Sequence, residues 1–412
     1  MSGGTAFVQV LGILFSPIIT RIYAPEDFGV FTLYNSFLGI LLIVGTLKYE
    51  FSIPIARNNI IALNIISLST ILLAIFCLIL LLISFFFKEP LLKLLDAEVL
   101  MDYIYLLPIG LFFAGFYNIL LQWALRTKNF KKITHTKISQ GIGLNLSQTI
   151  LGKLLVGPMG LLVGHIIGKS AGLYTLSKKL YQTEKNSFRS ISINKMRWAA
   201  KRYVQFPLYT MPSQFLSTVG VELPVFIIIA IYGSTTVGQY GLANLIVNIP
   251  VALIGTAIGD VFYAEAAKNG RERPKDLLKL SNKLIKRLLL LGLFPTIILV
   301  IGAPFLFSFI FGERWYAAGQ FAQIIALLSY ARLVFTPVSR VFLVFEKHLM
   351  AFSLNLIRVT IVLLTFGLAY YLEVNPYWAI GYYTIGMSLV YLITYIYAQA
   401  IIRKQIKILE NK

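Results

Sequence analysis

The chain has 412 residues, of which 58% are hydrophobic and only 13% are charged. Soluble domains carry about 25% charged residues, so this composition excludes an ordinary soluble protein and indicates a protein embedded in a lipid bilayer. The net charge of +20 fits basic loops on the cytoplasmic side of a membrane better than nucleic-acid binding. The single cysteine, Cys77, excludes an intrachain disulfide and a cysteine-based metal cluster.

Apolar runs predict an all-α polytopic membrane protein with about twelve transmembrane helices, each long enough to cross about 30 Å of hydrocarbon. In chain order they cover roughly 2–20, 28–48, 60–87, 101–125, 133–157, 159–177, 203–232, 237–262, 284–311, 317–345, 349–372 and 375–402. The first run has no basic leader and no cleavage site of small residues, so it predicts a retained helix and not a signal peptide. Because it is short and has no cytoplasmic flank, we expect some residues to be missing before it.

The basic residues segregate between the two sets of predicted loops. Loops after even-numbered helices, with the C-terminus, hold 28 of the 37 Lys and Arg residues, and the opposite loops hold four. Basic residues accumulate on the cytoplasmic side of a membrane. The protein is therefore predicted to lie in a bacterial inner membrane with both termini in the cytoplasm. The outer loops are too short for a catalytic domain. The basic segment 181–202 is predicted to lie on anionic membrane lipid.

A repeat predicts two six-helix halves with the same orientation. Segments 22–35 and 231–244 share five of fourteen residues. The shared residues are Ile22, Tyr23, Gly29, Leu33 and Asn35, with Ile231, Tyr232, Gly238, Leu242 and Asn244 as their counterparts. The predicted domains are therefore an N-terminal lobe at 1–180, the linker at 181–202 and a C-terminal lobe at 203–412. Transporters built in this way place the substrate path between their halves.

Ionisable residues inside the predicted helices are candidate functional groups, because burying charge in a bilayer is costly. The set comprises Lys153, His165, Lys169, Arg332, Arg340, Arg358 and Glu222, with Glu50 and Asp260 nearer the inner helix ends. Guanidinium groups bind phosphate through two parallel hydrogen bonds. The excess of cations therefore predicts a lumen for an anionic cargo, and His165, Lys169, Arg332, Arg340 and Arg358 are its candidate contacts, with Arg21 at the first outer turn.

Several of these residues have a structural alternative. Arg340 and Arg358 could extend to the inner interface. Glu222 precedes Pro224, which commonly bends a helix, so it could bind a coupling proton or Na⁺, or neutralise a nearby cation. Glu50 and Asp260 occupy matching places in the two halves and could fix loop cations or form an inner gate.

Two acids in the first outer turn, Glu26 and Asp27, invite comparison with the catalytic carboxylates of membrane glycosyltransferases. They follow Pro25 at the predicted start of a helix, where proline and acids are favoured, so a structural role is the better interpretation. The sequence has no nucleotide-binding loop and no HExxH or paired-cysteine site. The sequence therefore does not predict transport driven directly by ATP, metal catalysis or a bound cofactor.

The segment Thr20 to Gly29 (TRIYAPEDFG), followed by Lys48 to Ile53 (KYEFSI), resembles the start of the Wzx-type polysaccharide flippases. These belong to the MOP exporter superfamily, with the MATE drug exporters and the lipid II flippases. The resemblance covers the whole chain in length, helix count and topology, but its motifs lie in the first sixty residues. The short cytoplasmic lead of family members is absent here.

The resemblance implies an oligosaccharide repeat unit of an O-antigen, capsule or exopolysaccharide, carried on undecaprenyl pyrophosphate. It would move from the cytoplasmic to the periplasmic leaflet with the coupled flow of H⁺ or Na⁺. Implied partners are membrane lipids, a polysaccharide polymerase and chain-length machinery. Two alternatives stay open: a MATE-like exporter of small molecules, which favours a more acidic or apolar lumen, and a membrane polysaccharide polymerase or ligase, which needs a large outer loop.

Overall fold

The computed structural model describes residues 2–270 and 272–410, and this part of the chain consists of helices joined by turns and short connections. Fifteen α-helices are numbered in chain order: α1 Ser2–Ile22, α2 Pro25–Val44, α3 Asn59–Leu94, α4 Leu106–Arg126, α5 Phe130–Leu154, α6 Met159–Ser170, α7 Leu173–Glu184, α8 Ile193–Arg202, α9 Met211–Val247, α10 Thr256–Asn269, α11 Pro274–Phe311, α12 Tyr316–Phe335, α13 Val341–Val344, α14 His348–Tyr371 and α15 Pro376–Glu410.

The predicted all-helical, roughly twelve-span architecture is confirmed. Within the described residues, eight helical segments are long and apolar enough to cross a membrane. One of these segments contains all of α9, whose backbone leaves helical geometry at Gly233 (φ 80°, ψ 177°). This break divides α9 where the sequence predicts the boundary between the seventh and eighth spans. The predicted sixth span begins as the 12-residue helix α6 and resumes as α7 after Gly172.

Large apolar side chains on the outer surface of α11 show how the chain is solvated. Leu290, Phe294, Ile301, Phe305 and Phe309 are each between 72% and 77% exposed in the isolated chain. Exposed apolar surface on this scale is unfavourable in water, whereas lipid chains solvate it without cost. The chain is therefore a multi-pass membrane protein.

The first compact unit of the structure is Met1–Gly238. Its α5 and α6 pack closely because three glycines of α6 face α5. A Cβ atom at Gly160, Gly164 or Gly168 would lie within 3.0 Å of α5 backbone atoms. Small residues at a spacing of four allow helix backbones to approach in a membrane, where packing replaces the hydrophobic effect as the driving force.

The second compact unit is Gln239–Lys412. Its apolar core joins α10, α11, α12 and α15 through buried residues that include Phe262, Leu288, Val334 and Ile402. The boundary after Gly238 differs from the predicted start of the C-terminal lobe at residue 203. Compactness and sequence repetition are different criteria, so the two-lobe division stays a prediction.

The segment 45–58, between α2 and α3, forms a folded elbow. Leu47 and Lys48 have positive φ angles of 50° and 61°, so the chain reverses sharply. Arg126, at the end of α4, donates from Nη1 to the carbonyl oxygens of Ile53, Pro54 and Ala56 at 3.2, 3.2 and 2.7 Å. These hydrogen bonds satisfy backbone carbonyl groups that are not paired within a helix or a strand.

The elbow also fixes the linker helix α8. Tyr49 Oη donates to the Ala200 carbonyl at 3.1 Å, and burial raises the pKa of this phenol. Ser192, the N-cap of α8, donates its backbone N–H to Asn64 Oδ1 of α3 at 3.0 Å. The second half of the sequence motif, Lys48 to Ile53, therefore builds a docking point for the basic linker.

Candidate functional site

A cavity of about 240 Å³ in the second unit contains the best-placed cations of the protein. We call it the arginine cavity. It is lined by Asn248, Val251, Gly255, Gly259, Arg332, Thr336, Pro337 and Arg340. No carboxylate is present among these lining residues, so the described wall is cationic and polar on one side and apolar on the other.

Local sequence explains why both arginines face the same cavity. Arg332 lies in the last turn of α12, and Arg340 ends the 3₁₀ turn Thr336–Arg340 that follows. Pro337 cannot donate a backbone hydrogen bond, which ends the α-helix there. On the opposite wall Gly255 and Gly259 have no side chain, and a Cβ at Gly259 would lie 3.7 Å from the Cα of Pro337.

Asn248 positions Arg332. Arg332 Nη1 donates to Asn248 Oδ1 at 3.4 Å, and Asn248 Nδ2 donates to the Asn244 carbonyl at 2.8 Å. Arg332 is half-buried, and among the described residues no carboxylate lies within ion-pair distance of it. A neutral amide at a long hydrogen-bond distance orients the guanidinium without neutralising its charge.

Lys169 lines a second cavity, of about 190 Å³, in the first unit. We call it the lysine cavity. Its wall combines Lys137 and Gln140 of α5 with Lys169 of α6 and the small residues Gly141 and Gly168. Gln140 Nε2 donates to the Lys169 carbonyl at 3.0 Å. The structure therefore places Lys169 in the last turn of α6, beside a second lysine.

His165 is one turn from Lys169 on α6 but lies in the interior. It is buried between the rings of Phe31 and Tyr34, with centroid distances of 5.7 and 5.9 Å. Its Nδ1 atom is buried and has no hydrogen-bond partner within the described part of the chain. His165 is absent from the lining of the lysine cavity.

Arg358 and Arg21 are not among the described residues that line either cavity. The Arg358 guanidinium lies 5.1 Å from the ring centroid of Tyr391 and donates to Asn355 Oδ1 at 3.1 Å. This arrangement stabilises the packing of α14 on α15 through a cation–π contact. Arg21 is exposed in the last turn of α1. Within the second unit the structure thus joins Arg332 with Arg340, and Arg358 is not among the residues that line their cavity.

Glu222 contacts α2 from α9. Its Oε2 accepts a hydrogen bond from Ser36 Oγ at 2.7 Å, and the side chain is half-buried. Phe37 and Phe226 pack edge to face beside this pair, with centroids 4.7 Å apart. The helix continues through Pro224, and its break lies instead at Gly233.

Glu50 is buried in the elbow, where it accepts a hydrogen bond from Thr46 and lies 3.7 Å from the Lys48 ammonium. These contacts suit the structural alternative, in which the acid fixes a loop cation. Asp260 lies on α10, but its side chain is outside the described residues. The roles of both acids stay predictions.

Two site features have weak signals in the sequence. Asn248 is a neutral residue near a predicted helix end, and nothing local to it indicates that it contacts an arginine 84 positions later. Gln140 and Lys137 lie on α5, whose polar residues look like ordinary helix surface. The spacing of four between the glycines of α6 is a signal of close helix packing that the sequence does contain, although it was not among the predicted features.

Solved structures with the same architecture define the class of protein. An inward-facing multidrug resistance MATE family transporter of the MOP superfamily has a TM-score of 0.79, with 14% identity and coverage of 98% of this chain and 99% of that one. The lipid II flippase MurJ, in an inward closed conformation, has a TM-score of 0.72, with 14% identity and coverage of 96% and 86%. The protein has the fold of the MOP superfamily transporters.

Sequence comparison identifies the family. A family model described as "Polysaccharide biosynthesis protein" matches residues 18–320, so the chain belongs to that family, and the resemblance inferred from the motifs is confirmed. Homologues and structural neighbours of the family are transporters and flippases, which confirms the prediction that the chain is not an enzyme.

Two relatives have names that describe the biosynthesis or transport of a polysaccharide. The succinoglycan biosynthesis transport protein ExoT of Rhizobium meliloti is 25% identical over 346 residues, which cover 82% of this chain and 64% of that one. The teichuronic acid biosynthesis protein TuaB of Bacillus subtilis is 26% identical over 176 residues, covering 42% and 35%. The matched segments span less than two thirds of the length of either relative.

Proposed function

We propose that this protein moves a lipid-linked oligosaccharide across the inner membrane, from the cytoplasmic to the periplasmic leaflet, by alternating access. The cargo is a repeat unit on undecaprenyl pyrophosphate. The observation that carries the proposal is the arginine cavity, in which Arg332 and Arg340 face one space without a described carboxylate in its lining. Two guanidinium groups that face one cavity suit the two phosphates of the carrier.

The size of the cavity supports recognition of the head group alone. Sites that enclose a drug-sized ligand have volumes of about 300–1,000 Å³, and the arginine cavity has about 240 Å³. It can accept a pyrophosphate but not several sugar rings. In this proposal the glycan and the polyprenyl chain lie outside the cavity, the latter in contact with membrane lipid.

The names of the relatives and neighbours are consistent with this cargo. ExoT is named as a transport protein of polysaccharide biosynthesis, and MurJ is named as a flippase of a lipid-linked precursor. The lysine cavity provides a second cationic site in the first unit, where Lys169 and Lys137 act as point charges for phosphate or for an acidic sugar.

We propose further that Glu222 responds to the coupling ion. It is a half-buried carboxylate on α9, and its hydrogen bond from Ser36 connects α9 to α2. Protonation of the carboxylate, or Na⁺ binding to it, would change this contact, which links ion occupancy to helix position. The alternative is that Glu222 neutralises a neighbouring cation and has no part in coupling.

Deletion of the gene tests the function directly. We expect loss of surface glycan and accumulation of undecaprenyl-pyrophosphate-linked repeat units on the cytoplasmic leaflet, because synthesis continues while translocation stops. The wild-type gene should restore export, and a gene carrying both Arg332→Ala and Arg340→Ala should not. Normal surface glycan with an unchanged pool of carrier-linked intermediates in the deletion strain would refute the proposal.

A MATE-like exporter of small molecules is the second candidate, favoured by the MATE fold and by the half-buried Glu222. An exporter of cationic drugs would need acidic residues where this protein has Arg332 and Arg340. We therefore expect that this protein does not export cationic drugs in an efflux assay. Increased sensitivity of the deletion strain to cationic drugs, with normal glycan, would favour this candidate over the flippase.

A further inference from the structure

A third cavity, of about 310 Å³, lies in the second unit. We call it the interface cavity. It is lined by Phe345, Glu346, Lys347, Ile401, Lys404, Gln405 and Ile408. The first three of these residues form the turn between α13 and α14, and the other four lie on α15. The lining differs in every residue from that of the arginine cavity, so this cavity is a separate site.

The interface cavity lies where α15 leaves the membrane. The predicted twelfth span ends at residue 402, whereas α15 continues to Glu410. The residues 403–410 therefore extend the helix by about 12 Å beyond the span. Lys404, Gln405 and Ile408 lie on this extension, and Ile401 lies just before it. The cavity is thus at the depth of the lipid head groups, on the side that the basic loops predict to be cytoplasmic.

Helix α11 holds the extension from the side opposite to the cavity. Gln399 Nε2 donates to Ser281 Oγ at 2.8 Å, and the Lys275 ammonium lies 2.7 Å from the Glu410 carboxylate. The four lining residues of α15 have relative positions 0, 3, 4 and 7, so they share one helix face. Gln399 and Glu410 lie on the opposite face. Helix α15 therefore contacts α11 with one face and lines the interface cavity with the other.

The turn on the other wall has a defined backbone. Glu346 has a φ angle of 55°, in the left-handed region. The backbone N–H of Lys347 donates to the Phe342 carbonyl at 2.8 Å, and that of Glu346 donates to the Leu343 carbonyl at 3.2 Å. This hydrogen-bond pattern commonly ends a helix. It places the Lys347 side chain on the same cavity as Lys404.

The lining combines cationic, polar and apolar side chains. Lys347 and Lys404 are exposed, and within the described part of the chain neither forms an ion pair with a carboxylate. Glu346 contributes one carboxylate and Gln405 one amide, while Phe345, Ile401 and Ile408 are apolar. Beside the turn, Leu343 is 48% exposed and Leu349 is 85% exposed. Such side chains suit contact with lipid chains better than contact with water.

We propose that the interface cavity binds the head group of an anionic phospholipid of the inner leaflet, such as phosphatidylglycerol. The ammonium groups of Lys347 and Lys404 contact the phosphate as point charges. The Glu346 carboxylate and the Gln405 amide oxygen accept hydrogen bonds from the glycerol hydroxyl groups. Because the lysines outnumber the carboxylate, a head group with net negative charge is preferred over a zwitterionic one. Basic pockets on the cytoplasmic side of membrane helices bind lipid head groups in this way.

A bound head group would connect the turn after α13 to α15. Helix α13 follows directly on Arg340, so the lipid would also hold the segment that carries one arginine of the arginine cavity. This consequence for transport rests on the proposed function. The binding site itself does not depend on it, because phosphatidylglycerol is not the proposed cargo.

Lipid binding to the purified full chain in a neutral detergent tests the site. The ligand is phosphatidylglycerol, and native mass spectrometry measures the fraction of protein that carries it. Lys347→Gln with Lys404→Gln should weaken binding about tenfold, because both contacts to the phosphate are lost. Lys279→Gln with Lys283→Gln is the matched control, since it removes the same charge from exposed positions on α11. We expect this control to change the affinity by less than about twofold, and thermal unfolding without lipid checks that each variant is folded.

Two further ligands identify what the site recognises. Phosphatidylethanolamine, which is zwitterionic, and glycerophosphoglycerol, which is the head group without acyl chains, should each bind the parent protein about tenfold more weakly than phosphatidylglycerol. Equal affinity for glycerophosphoglycerol would indicate a site for a soluble phosphate ester and would overturn the lipid assignment. Equal affinity for phosphatidylethanolamine, or equal losses in the two double variants, would overturn it as well. Refutation of the flippase by the deletion strain would leave these binding results standing, and their failure would leave the flippase standing.

Discussion

Replacing Arg332 should weaken binding of the carrier head group more than any other single change in the arginine cavity. The guanidinium is half-buried, and its one described hydrogen bond, to Asn248, is long at 3.4 Å, so little is lost when phosphate replaces the amide. A hydrogen bond to a charged group is worth about 1.5–3 kcal/mol. Arg332→Ala should therefore weaken binding by roughly 10- to 150-fold.

Arg332→Lys separates charge from geometry, because it keeps the positive charge but not the two parallel donors. We expect this variant to bind undecaprenyl pyrophosphate about tenfold more weakly than the parent. The assay is equilibrium binding of undecaprenyl pyrophosphate to purified protein in detergent, with thermal unfolding of each variant as the check on folding. Arg358→Lys is the control, since Arg358 contacts Tyr391 and not the cavity.

Undecaprenol, which has the same chain without phosphates, completes the test. If Arg332 binds the pyrophosphate, the parent protein should bind undecaprenol weakly, and neither Arg332 variant should have a lower affinity for undecaprenol than the parent has. Equal loss of affinity for both lipids would refute the reasoning, because the variant would then have damaged a general apolar site. Unchanged binding of undecaprenyl pyrophosphate to Arg332→Ala would refute it as well.

Three further predictions concern packing, the linker and ion coupling. Gly164→Ala should destabilise the protein by about 1–3 kcal/mol, because its Cβ would lie 2.8 Å from the backbone nitrogen of Gln148; thermal unfolding in detergent measures this, and an equal loss in Gly367→Ala, which has an open site, would contradict it. Tyr49→Phe removes the hydrogen bond to the α8 backbone, so amide exchange in α8 should rise about fivefold, as expected for a loss of about 1 kcal/mol, while exchange in α4 stays unchanged. Glu222→Gln should abolish the dependence of transport on the ion gradient and leave carrier binding intact; slower transport with the same gradient dependence would contradict a coupling role.

The features that could be predicted from the sequence are those that local chemistry determines. Runs of apolar residues define the spans, because a bilayer demands about twenty of them in succession. The start of α2 follows from Pro25 and the acids after it: Asp27 Oδ2 accepts the backbone N–H of Ala24 at 2.9 Å. The pairing of Arg332 with Arg340 is also local, since about two turns separate them.

What the sequence did not predict depends on contacts between distant segments. The elbow is built by Arg126, which donates to carbonyl groups about seventy positions earlier, and no local pattern encodes such a bond. His165 was predicted to share a lumen face with Lys169, a role that stays a prediction, and in the structure its ring packs between Phe31 and Tyr34. Helical periodicity predicts which residues share a face, but the neighbouring helices determine what that face meets.

The composition of the arginine cavity bears on specificity. Apart from two arginines, Asn248 and Thr336, the described part of its wall is made of glycine, proline and valine, and none of these can distinguish one sugar from another by hydrogen bonding through a side chain. In the proposed function, a site of this kind would recognise the pyrophosphate that every repeat unit on the same carrier has in common. In the proposed mechanism the arginine cavity therefore provides affinity for the carrier, and discrimination between glycans has to come from residues outside it, along the path that the sugars follow.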